Sequence, residues 1–195
     1  MKKLLKISAL IAAMALSCAF FGCSNGNSSV DNNSTTISFD DCTATETEVT
    51  PSDGNWTLKI TQSGDGFSSE GNIKATASNG SYTYTFCSET RVADLSKQMN
   101  EKELTEFNGL SKDEKEQTII KNMGCPEDAT ITINGNIVTI KASYSTKEDL
   151  QQIQSTFDLS LIPSDAIIKT NSDKTKYTIT FSCEGSKAVF YISKD

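Results

Sequence analysis

Two hydrophobic rhythms alternate along this chain, and where each one holds predicts the elements. Trp56, Leu58 and Ile60 alternate with Thr57, Lys59 and Thr61, the two-residue period of a half-buried strand. Ile37 to about Val49 alternates less regularly and predicts a strand before it. In Ile37-Ser38-Phe39-Asp40-Asp41-Cys42, Ile37 and Phe39 share one side and Cys42 takes the other. Ser63 to Gly71 reads as loop by composition. Two Asn-Gly pairs then predict tight hairpins. A turn at Asn79-Gly80 sets Ala77 opposite Tyr82, Ala75 opposite Tyr84 and Ile73 opposite Phe86. Cys87 then falls on the polar side with Thr83 and Thr85. A turn at Asn134-Gly135 sets Ile131 opposite Val138 and Ala129 opposite Ile140.

Between the hairpins the period lengthens. Asn100 with Glu103, and Ser111 with Glu114, have capping-box spacing and open two helices, the first burying Leu104 and Phe107 and stopping at Gly109. The second turns Thr118, Ile119 and Met123 inward and ends at Gly124, with Pro126 beyond. A third helix is predicted from Ser145, with Glu148 at the box position, burying Leu150, Ile153 and Phe157. The tail returns to strands at Ile167–Ile168, at Tyr177 to Cys183, and at Lys187 to Ser193, where Ala188, Phe190 and Ile192 share a face. The pattern predicts one α+β domain over residues 37–195, an antiparallel β-sheet built of hairpins packed against two or three short helices.

The start of the chain follows neither rhythm. Lys2, Lys3 and Lys6 precede an apolar run from Ile7 to Gly22, which ends at Cys23 and gives way to Ser, Asn, Thr and Gly through residue 36. This is the layout of an export signal, too short for a transmembrane helix of about 20 apolar residues. The segment Phe20-Phe21-Gly22-Cys23 resembles the lipobox of bacterial lipoproteins, with Phe20 and Phe21 standing where that family prefers Leu and then Ala or Ser. The resemblance covers the leader alone. It implies removal of residues 1–22, a diacylglyceryl group on Cys23, and lipid anchoring to a membrane of the bacterial envelope, facing periplasm or exterior. Cleavage near Ala13-Met14-Ala15, giving a freely secreted protein, is the alternative. Residues 23–36 cannot bury enough surface to order themselves and read as a flexible tether.

Composition narrows the chemistry. The 22-residue leader holds Lys2, Lys3 and Lys6 and no acid, so the mature chain keeps 15 basic against 25 acidic side chains. That balance weighs against nucleic acid, or a bare anionic membrane surface, as partner. With no His, Ser-His and Cys-His nucleophiles and His-containing metal sites are excluded. Cys42, Cys87, Cys125 and Cys183 form an even set without C-x-x-C spacing, which in an exported chain reads as two disulfides. Of the three possible pairings strand parity favours Cys42–Cys87 with Cys125–Cys183; the other two pairings, and four unpaired buried thiols, are the alternatives.

The remaining candidates are weak. Gly64-x-Gly66 lacks the third Gly of a dinucleotide fingerprint, and Asp65 and Glu70 lack EF-hand spacing, so a hairpin connection is expected there. Adjacent Asp40 and Asp41 point to opposite sides of a strand, and Trp56 reads as core. No catalytic residue, cofactor or metal site is assigned. The sequence therefore predicts a non-catalytic binding or interaction module with an unidentified ligand. The alternatives are a His-independent carboxylate enzyme acting on an envelope component, and a structural or inhibitory subunit that pairs through a sheet edge.

Overall fold

A computed structural model describes residues 37–123, 129–156, 162–183 and 186–195. Nine strands form one sheet: β1 (Ala44–Glu46), β2 (Gly54–Gly64), β3 (Phe67–Ser78), β4 (Ser81–Asp94), β5 (Thr130–Asn134), β6 (Ile137–Tyr144), β7 (Ile167–Thr170), β8 (Lys176–Cys183) and β9 (Ser186–Lys194). Four short helices accompany them: α1 (Leu95–Gln98), α2 (Glu101–Asn108), α3 (Lys112–Met123) and α4 (Lys147–Thr156). The strand order is β1-β7-β8-β9-β2-β3-β4-β6-β5. All eight neighbouring pairs are antiparallel. An antiparallel sheet with a few short helices is therefore what the chain forms.

The two halves of the chain are joined by β9, which lies between β8 and β2. Directly paired residues point to the same side of a sheet, so register defines the faces. One row runs Ile168, Ile179, Phe190, Ile60, Gly71, Glu89 and Ala142 across seven strands. This inner face carries the main core, including Trp56, Leu58, Ile73, Tyr177, Ile179 and Phe190. Thr and Lys dominate the other face. A second cluster joins Leu95, Met99, Phe107 and Ile119 with Val138 and Ile140 of β6.

The Asn79-Gly80 turn forms as expected. Ser78 pairs with Ser81, and both turn residues take positive φ, 51° and 75°, as a type I′ turn requires. Ala77 then faces Tyr82 and Ala75 faces Tyr84. Beyond them the register breaks between Lys74 and Ala75, and Ile73 meets Cys87 instead of Phe86. The extra residue in β4 is a β-bulge, and it reverses which side chains point inward. Phe86 is expelled, and Cys87, Glu89, Arg91 and Ala93 become buried.

The second hairpin turns one residue later than expected, which shifts the cross-strand partners by two. Asn134 pairs with Ile137, so the loop is Gly135-Asn136 and Ile131 faces Ile140, not Val138. Gly135 supplies the positive φ of 59° at the first loop position and Asn136 does not, the pattern of a type II′ turn. The expected Ser63–Gly71 loop shrinks to Asp65-Gly66, because β2 runs to Gly64 and β3 starts at Phe67.

Both early capping boxes are made. Asn100 accepts from the Glu103 amide while Glu103 accepts from the Asn100 amide, each at 3.0 Å. Ser111 accepts from the Glu114 amide at 3.4 Å, and Glu114 accepts from the Ser111 amide at 2.9 Å. The third helix starts one residue late, since Thr146 accepts from the Asp149 amide at 3.2 Å. The pattern missed α1, whose cap is Asp94 accepting from the Ser96 amide. The expectations for Gly124, Cys125, Pro126 and Phe157 lie outside the described residues.

Residues 37–43 are not a strand. The Cys42 amide donates to the Phe39 carbonyl at 3.0 Å, closing a turn, and only Ala44–Glu46 joins the sheet, at its edge. The parity argument for Cys42 therefore fails, and the one for Cys87 fails at the bulge. Both thiols are free and buried, so the expected Cys42–Cys87 disulfide is not made. Cys42 sits by Asn171 and Lys176 at the β7–β8 turn, and Cys87 lies on β4, four strands beyond β8. Cys125, half of the second expected pair, is outside the described residues.

Candidate functional site

The bulge in β4 creates the one arrangement with buried charge among the described residues. Strict alternation after Tyr84 would point Phe86, Ser88, Thr90 and Val92 inward. Instead Glu89 and Arg91 face the core, 4% and 3% exposed. Glu89 Oε1 accepts from Arg91 Nη2 and from the Tyr144 hydroxyl, both at 2.5 Å. Tyr144 comes from β6, directly opposite Cys87. On β3 the residue opposite Glu89 is Gly71, which takes no side-chain volume beside the carboxylate. Arg91 is paired with Ile140 of the second cluster, while Cys87 belongs to the first. The ion pair thus stands where the two apolar clusters meet.

The geometry is that of a buried, hydrogen-bonded ion pair. Removing a carboxylate and a guanidinium from water is costly, and hydrogen bonds of this kind are what offset the cost. The neighbouring Cys87 thiol is pushed up to about 12, first by burial and then by the Glu89 charge. It is held protonated, the opposite of an activated nucleophile. Glu89 is the one carboxylate buried among the described residues, so no second acid faces it there.

The residues singled out from sequence are scattered by the fold. Trp56 is core: its Nε1 donates to the Ser52 carbonyl at 2.9 Å, and its ring lies 6.2 Å from that of Tyr177. It helps line a small apolar cleft with Pro51, Leu58, Tyr82, Tyr84 and Ile192, with about 20 Å³ of room. That is space for about one water, far below the few hundred Å³ of a ligand pocket. Asp41 binds Lys176 at 3.0 Å, and Asp40 accepts from the Ser38 hydroxyl. Glu70 pairs with Lys59 at 2.9 Å on the polar face, while Asp65 lies in the turn. Among the described residues no three His, Cys, Asp or Glu side chains are placed to hold a metal, and no helix is long and apolar enough to cross a membrane.

Cys42 rests where the N-terminal segment meets the β7–β8 hairpin. Burial raises its pKa, the Asp41 charge adds to this, and Lys176 opposes it. The same junction holds the Lys174–Glu46 pair at 2.9 Å, whose carboxylate raises the Lys174 pKa, and Phe39 against Tyr191 with ring centroids 5.2 Å apart. Sequence reasoning missed Glu89, Arg91 and Tyr144 altogether. One signal was present: Arg91 is the single arginine among 18 basic residues. Guanidinium suits a buried, directional ion pair better than ammonium does.

No family model matches this chain, and neither a curated protein nor a solved structure matches it.

Proposed function

We propose that the protein is a lipid-anchored envelope protein whose folded part is a non-catalytic binding or interaction module. The observation that carries this reading is the leader: three lysines, an apolar run, Cys23, and then a polar tether that reaches the first described residue at Ile37. Acyl chains contribute about 0.8 kcal/mol per buried methylene, so a diacylated Cys23 would hold the domain firmly to a bilayer. The sheet supports the binding half of the reading by offering a broad polar surface, with Thr83, Lys74, Lys141, Lys169 and Lys187 exposed. In this reading α1 to α3 form a layer over the β6 end of the inner face. The cluster that Leu95, Met99, Phe107 and Ile119 share with Val138 and Ile140 supports that layer.

The test is Cys23→Ser. The variant is expected to lose its acyl mass and move from the detergent-rich to the aqueous phase; retention in detergent would overturn the anchor. A subunit that joins others through a sheet edge is the second reading, favoured by the uncharged edge strand β5. The His-independent enzyme draws less support, because the buried carboxylate is occupied by Arg91 and Tyr144.

A further inference from the structure

We infer that β5 is the docking edge for a second copy of this chain, the two β5 strands pairing antiparallel about Thr132. The inference rests on the edge-pairing reading and names its partner; it is independent of the lipid anchor.

The two edges of the sheet are built differently. β1 is three residues long, ends in Glu46 and is pinned by Lys174. Short, charged edges of that kind resist pairing with other chains. β5 reads Thr130-Ile131-Thr132-Ile133-Asn134, with no charge and no Pro, and four of its five residues are β-branched. Among the described residues it pairs only with β6. Among the described residues it carries neither the charge nor the Pro that commonly protects an edge.

Its hydrogen-bond phase suits a symmetric partner. In a hairpin with a two-residue loop the residues flanking the loop form a hydrogen-bonded pair, here Asn134 with Ile137. Alternation then directs the backbone groups of Thr132 and Thr130 toward β6. Those of Ile131 and Ile133 point to the open edge. A two-fold axis through Thr132 sets Ile131 opposite Ile133 of the second copy, exchanging both N–H···O bonds, and does so twice. Thr132 faces its own copy in the close, non-hydrogen-bonded kind of pair, and Thr130 faces Asn134 of the second copy. Every apolar residue meets an apolar one on the side of the second core cluster, where Ile131 and Ile133 are already partly buried. Every polar residue meets a polar one on the other side. Such self-complementarity is what an isologous interface requires. A five-residue edge buries less than the roughly 1,200 Å² of a stable interface, so the association is weak in dilute solution.

Thr132 is exposed, so a charge there leaves the fold intact and meets its own like across the axis. Native mass spectrometry of the full chain, purified in detergent over a concentration series, is expected to show dimers for the wild type. Thr132→Lys and Thr132→Glu should each dimerise about tenfold more weakly or worse, and mixing the two should restore one-to-one dimers. A wild type that stays monomeric throughout, or a Thr132→Lys chain that dimerises as the wild type does, would overturn the inference. A photo-cross-linking residue at position 132 in intact cells separates the possible failures. Capture of the same chain is the expected result. Capture of a different protein overturns the second copy and leaves the edge reading standing; no capture overturns both.

Discussion

Strands β4 and β8 open with nearly the same words, Tyr82-Thr83-Tyr84-Thr85-Phe86 and Tyr177-Thr178-Ile179-Thr180-Phe181, and end in different environments. In β8 alternation is unbroken: Tyr177, Ile179 and Phe181 are all buried. In β4 the bulge intervenes, Phe86 is left 37% exposed, and Cys87, Glu89 and Arg91 take the inner face. The neighbours make the difference. β8 lies between β7 and β9, both in continuous register, whereas β4 must match the Ala75–Ile73 step of β3 and the Ala142, Ile140 and Val138 series of β6. Hydrophobic burial alone would have kept Phe86 and Val92 inside. The fold instead accepts an ion pair at the meeting of its two apolar clusters, a departure from local pattern of the sort that accompanies functional or strained sites.

The largest expected contrast comes from truncating the matching phenylalanines. Phe181→Ala empties a core position and should cost about 3–5 kcal/mol. Phe86→Ala should cost less, about 1–2 kcal/mol, because part of the ring is already in water. Urea unfolding of the two variants side by side measures this, and equal losses would erase the distinction between the strands. Next in size is the ion pair itself. Glu89→Gln strips Arg91 of its carboxylate and should cost about 3 kcal/mol or more, while Glu89→Leu with Arg91→Met should recover most of that loss. Arg91→Lys should not behave as the wild type, because an ammonium lacks the planar fork. A double variant no better than the single one would mean that the pair is not what the site depends on.

How much of this was legible follows from the same two strands. The period-two pattern gave β8, β9 and β2 correctly, because each is flanked by neighbours in uninterrupted register. The Asn79-Gly80 turn was legible, since positive φ at both loop positions is a local demand of the chain. At Asn134-Gly135-Asn136 the residues allow two loop placements, and only the fit of Ile131 to Ile140 chooses between them. The bulge was not legible, because nothing local in Thr85-Phe86-Cys87 requires it; the requirement lies in β3 and β6. The Cys42–Cys87 expectation fell with it, since parity carried through an unseen bulge assigns Cys87 to the wrong side. The single arginine was the clue available to composition.

A smaller effect is expected where β4 hands over to α1. Gly66 takes a φ of 75°, and a Cβ there would lie 2.4 Å from the Cβ of Lys97. Its carbonyl accepts from the Asp94 amide at 2.7 Å, so the turn and the helix start are locked together. Gly80 has the same φ and nothing within 4 Å. Gly80→Ala should therefore show the conformational penalty alone, about 1–2 kcal/mol, and Gly66→Ala that penalty plus the clash. Thermal unfolding of the pair measures the difference; equal shifts would mean that α1 moves aside freely.

The finest test of the bulge is its alkaline signature. Cys87 is raised from an ordinary 9.0 to about 12 by burial and then by Glu89, both consequences of the register change. Between pH 9 and 12 the unfolded chain gives up this proton while the folded chain keeps it. The unfolded state then binds fewer protons, so stability is whole below pH 9 and falls as pH rises through that window. Tyr82 is shifted the same way by burial and by Tyr177, and Cys42 by burial and Asp41, so the wild-type slope has several sources. The informative quantity is the difference between wild type and Cys87→Ala, whose stability should decline less steeply above pH 9. Parallel declines would place the Cys87 thiol in water, on the polar side that unbroken alternation assigns it, and β4 would then be a second β8.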